Sequence, residues 1–76
     1  MKRDLKFSEA RALKAAFDEK FHENVHYHDM CEVQYMSLDT VSDDRVAFIE
    51  GYFAGQGLRA VFNAARNEFT VEEPDD

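Results

Sequence analysis

The pentapeptide His22-Glu23-Asn24-Val25-His26 has the spacing of a zinc site. On an α-helix, histidines at i and i+4 project from one face and can share a metal ion. The glutamate between them can then act as general base on a zinc-bound water. His28, Asp29, Cys31 and Glu32 follow at once and add nitrogen, oxygen and sulfur donors. His22, His26, His28 and Cys31 are therefore the candidate metal ligands, with zinc as the candidate cofactor and Glu23 as the candidate base. The plainer reading of the same residues is a pair of solvent-facing histidines near the negative end of a helix dipole.

These five residues resemble the H-E-x-x-H signature of the zincin metalloproteases. The resemblance implies a zinc hydrolase, with Glu50 on a later helix as the counterpart of a downstream glutamate ligand. It covers five of 76 residues, and Tyr27-His28-Asp29 stands where the extended signature carries glycine and a third histidine. The pattern around it weighs the other way. Ala10, Leu13, Ala16, Phe17, Phe21 and Val25 recur at three- and four-residue steps, which predicts a helix from Ser8 to about Val25 with Ser8 as N-cap. On that helix His22 and His26 project towards Arg11, Asp18 and Glu19, away from the apolar face. The expectation is a non-enzymatic protein without a cofactor, with a zinc protein or minimal metallohydrolase on His22, Glu23 and His26 as the alternative.

The remaining elements are read from the same periodicities. Tyr27 to Leu38 fits either a strand, with Cys31, Val33 and Tyr35 on one face and Glu32 and Gln34 on the other, or a helix; the helix is preferred because strand partners are scarce. The two available are Arg3 to Phe7 and Glu68 to Val71. Ser42 is an N-cap for a second helix, with Val41 and Val46 as a hydrophobic staple and Asp43 and Asp44 at the positive end of the dipole. Gly55-Gln56-Gly57 predicts a break after it. Leu58, Val61, Phe62, Ala65 and Phe69 then read as a further helix. The predicted fold is an all-α bundle of three or four helices over residues 1–71, with 72–76 as an acidic disordered tail. The alternative is α+β with a short strand within 30–38.

Composition narrows the function. Nine Lys and Arg face sixteen Asp and Glu, for a net charge of −7. That balance argues against direct nucleic-acid binding. The single cysteine excludes an internal disulfide. No apolar run approaches the ~20 residues of a membrane span, and the N-terminus lacks the apolar stretch of a signal peptide, so a cytoplasmic location is expected. Residues 1–20 carry six basic and four acidic side chains, whereas 21–76 carry three and twelve. Such a surface suits docking on a basic groove. The expected function is therefore a small acidic protein-interaction module, an inhibitor or regulator that mimics nucleic-acid charge on a nucleic-acid-handling protein, of the sort mobile elements encode. Asp29, Glu32, Asp39, Asp43, Asp44 and Glu50 are the candidate contacts. So small a core also makes a homodimer as reasonable as a monomer.

Overall fold

The computed structural model describes residues 2–30 and 33–74. The chain runs α1 (Phe7–Phe21), β1 (Val25–Asp29), β2 (Gln34–Leu38), α2 (Asp43–Ala54), β3 (Arg59–Phe62) and β4 (Glu68–Glu72). The strands form one antiparallel sheet in the order β1-β2-β4-β3. The all-α expectation is thus overturned: the fold is α+β, two helices on a four-stranded sheet. The alternative of a short strand within 30–38 is the nearer description, since β2 lies there, but β2 is one of four strands. The chain consists of two α-β-β halves whose second strands, β2 and β4, meet at the centre of the sheet.

The helix expected over 27–38 is a hairpin. Met30 and Val33 exchange backbone bonds of 2.9 and 3.2 Å, which continue the β1–β2 ladder beyond Asp29 and Gln34. Along β2 the side chains of Gln34, Met36 and Leu38 are buried and those of Tyr35 and Ser37 are less so. The inward face therefore begins with an amide, and this hides the alternation of period two. The helix expected over 58–69 is also a hairpin. Asn63 holds its turn: its N–H donates to Glu68 O at 3.0 Å and its Oδ1 accepts from Glu68 N–H at 3.1 Å. Between them the chain turns through Arg66 at φ 61°.

Other boundaries follow local chemistry. Ser42 caps α2 by accepting from Arg45 N–H at 3.2 Å. The helix closes with Leu58 N–H on Phe53 O and Gly57 N–H on Ala54 O, a Schellman arrangement in which Gly57 takes φ 74°. The break at Gly55-Gln56-Gly57 is present, and a strand follows it. In α1 the N-cap is Lys6 and not Ser8. Glu9 accepts from Lys6 N–H and from Arg3, both at 2.9 Å. Those bonds, the backbone one first, hold the Glu9 carboxyl below the ordinary glutamate range.

Both helices cover one face of the sheet. Leu13 and Phe17 of α1 and Ile49 and Phe53 of α2 pack with Val25, Met36, Phe69 and Val71 in a single core. Phe17, Phe21 and Phe48 close it between the helices, with ring centroids 4.8 to 5.9 Å apart. The N-terminal segment completes the sheet. Lys2 bridges Glu72, and Arg3 N–H donates to Val71 O at 2.8 Å. Gln34, 5% exposed, uses its side-chain amide as a peptide group would: Oε1 accepts from Leu5 N–H, and Nε2 donates to Leu5 O at 2.9 Å and to the Tyr27 hydroxyl at 2.8 Å. Burial, and then the Asp29 carboxylate, raise the Tyr27 phenol above its ordinary pKa. Glu72, which the sequence places in a solvated tail, is the last residue of β4. Asp75 and Asp76 lie outside the described residues.

Two stability measurements test this construction. Gln34→Met keeps the bulk but leaves Leu5 N–H unsatisfied. Chemical denaturation should show a loss of about 1–3 kcal/mol, and the Leu5 amide should exchange faster. For Glu9 the folded pKa lies below the unfolded one. Its contribution is therefore present above the unfolded pKa and lost as pH falls through the folded one. Denaturation midpoints of Glu9→Gln followed from neutral pH into acid should fall less steeply than those of the parent.

Candidate functional site

The H-E-x-x-H spacing has no helix to act on. α1 ends at Phe21, and His22 caps it in the left-handed conformation at φ 56°, its N–H on Asp18 O at 2.8 Å. Glu23 lies in the connection to β1 and pairs with Arg45 of α2 at 2.9 Å, beneath a guanidinium whose carbon is 4.8 Å from the Phe21 ring centroid. His26 is on β1, with Nε2 2.9 Å from Asp39. His28, two residues on, shares a 2.9 Å hydrogen bond with Ser37 Oγ and stacks on Tyr35 at 4.4 Å. The i, i+4 relation of His22 and His26 therefore spans a helix end, a turn and a strand. Among the described residues no three His, Cys, Asp or Glu side chains converge on a point where a metal ion could sit. Cys31 lies outside the described residues.

The candidate acidic contacts divide into two regions. Asp39, Asp43 and Asp44 gather where β2 leads into α2, and Glu50 follows on α2, about 9 Å further along its axis. Asp29 is at the far end of the β1–β2 hairpin, where it accepts from the Tyr27 hydroxyl at 3.3 Å. Glu32 lies outside the described residues. Two members of the first group have partners: Asp39 has His26, and Asp43 has Arg66 at 2.9 Å. Asp44 and Glu50 are exposed and make no ion pair.

Two depressions mark the surface. A shallow groove of about 690 Å³ runs beside Lys20, Asp44, Ala47, Phe48 and Gly51, with Lys20 Nζ 5.8 Å above the Phe48 ring. Another, of about 260 Å³, lies among Tyr35, Val61, Asn63, Glu68 and Thr70 on the uncovered side of the sheet. Sequence reasoning missed both. The groove joins residues from two helices. The sheet depression joins three strands, and its sequence signal, the alternation Tyr35–Ser37, was obscured by the helical reading of 27–38.

Compared with family models, with curated proteins and with solved structures, the chain gives no significant match to any of them. Among the described residues no helix is long and apolar enough to cross a membrane.

The backbone at His22 supplies a test of its role. A left-handed residue favours glycine, and the imidazole makes no hydrogen bond there. His22→Gly should leave thermal stability unchanged or raise it by up to about 1 kcal/mol. A loss of more than that on denaturation would mean that the side chain contributes to the fold.

Proposed function

We propose that this protein is a non-enzymatic acidic interaction module that docks on a cationic groove of a nucleic-acid-binding protein. The observation that supports this is the internal use of its arginines. Four of the five, Arg3, Arg45, Arg59 and Arg66, are held by carboxylates of the same chain. No lysine follows Lys20, so no unpaired Lys or Arg occurs among the described residues after that point. Asp44 and Glu50 on α2 and Glu68 on the sheet remain exposed and unpaired. The surface beyond α1 thus presents carboxylates with their compensating cations already engaged. The cations without an ion pair, Lys2, Lys6, Arg11, Lys14 and Lys20, all fall in the first twenty residues, and of these Lys20 borders the groove beside Asp44. The excess of carboxylates over free cations beyond residue 20 steers a cationic partner to that part of the surface.

Asp44 and Glu50 are the positions to change, because neither is committed to an internal ion pair. The experiment captures proteins from a cell lysate on the immobilised chain at low salt. Retained proteins should include nucleic-acid-binding ones, and excess duplex DNA should displace them. Asp44→Lys with Glu50→Lys should weaken their binding by about tenfold or more, and added salt should weaken it further. Retention indifferent to DNA, to salt and to the two reversals would reject the proposal.

A further inference from the structure

β1 is an outer strand of the sheet, and no strand pairs with its free side among the described residues. The exchange of bonds between Met30 and Val33 fixes the phase of the ladder. Two and four residues on, the pairs His28–Tyr35 and His26–Ser37 direct their backbone groups at each other. The N–H and C=O groups of Val25, Tyr27 and Asp29 therefore point away from the sheet. Edges are commonly blunted by charged side chains, proline or a bulge. The strand Val-His-Tyr-His-Asp has neither proline nor bulge, its one carboxylate is Asp29 at the end of the strand, and its register runs unbroken over five residues. The opposite edge, β3, has four residues and by the same count offers only Ala60 and Phe62.

We propose that two copies of this chain associate through β1, antiparallel about a two-fold axis at Tyr27, to make one eight-stranded sheet. The outward residues are symmetric about that axis. Val25 of one copy faces Asp29 of the other, Tyr27 faces Tyr27, and each outward N–H meets an outward C=O. An interface with this symmetry needs a strand complementary to itself, and β1 has that property in length and phase. No two like charges stand directly opposite: Asp29 faces the apolar Val25. On the uncovered face of the sheet, His26 of each copy lies across from His28 of the other. Met30, 63% exposed at the end of the strand, gains cover beside the second copy. Because each chain carries −7, salt should tighten this contact, whereas it should loosen docking on a cationic partner. The two associations are therefore distinguishable in one titration.

Sedimentation of the full chain over a concentration series tests the pairing and its register. The parent should form dimers that tighten with salt. His26→Lys with His28→Lys places like charges opposite each other twice. It should weaken the dimer by about tenfold, even though it makes the chain less negative. His26→Lys with His28→Glu places opposite charges at the same points and should restore or tighten it. A monomer at every concentration, or a dimer equally tight in both variants, would overturn the proposal. If the double lysine variant does not fold, amide exchange of the parent decides. The Val25, Tyr27 and Asp29 amides should slow as concentration rises, and unchanged rates would overturn the pairing.

Discussion

The fold depends on a side chain acting as backbone. β2 and β4 pair at Met36–Phe69 and Ser37–Glu68, Leu38 N–H continues the contact to Asn67 O, and towards the other end of β4 the N-terminal segment runs beside it. That leaves Leu5 with a buried N–H and C=O and no strand beside it. The amide of Gln34 supplies both missing partners, and its remaining donor goes to the Tyr27 hydroxyl. Unpaired peptide groups at that depth would each be costly. A hydrocarbon side chain at position 34 could fill the space but could not complete the sheet. One amide thus touches the junction of the two halves, the segment that leads into α1 and Tyr27 on the edge strand.

Charge is arranged with a similar economy. Long-range ion pairs join elements that packing alone would leave loosely related: Glu23 to Arg45 ties the α1–β1 connection to α2, and Asp43 to Arg66 ties the start of α2 to the β3–β4 turn. Pairs as exposed as Asp43–Arg66 contribute little to stability. Each pair engages one arginine with one carboxylate, and the acids in excess of these pairs, Asp44, Glu50 and Glu68 among them, stay exposed.

What could be read in the sequence was whatever is decided within a few residues. Ser42 and its following acids mark the start of α2, and Gly57 with its left-handed backbone marks its end. Ala10, Leu13 and Phe17 mark the buried side of α1. The strands were not legible in this way. The inward face of β2 starts at Gln34, whose polarity pointed outward until Leu5, 29 residues earlier, supplied its partners. Leu58, Val61, Phe62, Ala65 and Phe69 fall at helical spacing only because a turn built on Asn63 lies between two strands. The spacing of the histidine motif carries its i, i+4 geometry only along a continuous helix, and His22 ends this one. The acids of the candidate surface were visible as residues, but Asp39 and Asp43 are engaged by His26 and Arg66, contacts fixed by tertiary structure.

The central position of β4 has a consequence for how the protein is made. It is the last of the six elements to leave the ribosome, yet it lies between β2 and β3 and receives the N-terminal segment along its end. The first hairpin, β1–β2, is local and can close early. The inner edge of β2 and the apolar face of α1 must wait for residues near 69–72 before they are covered. During synthesis the first half is thus an incomplete sheet with an open inner edge, exposed to aberrant pairing and to chaperones, and the core becomes whole only once the second half has been released.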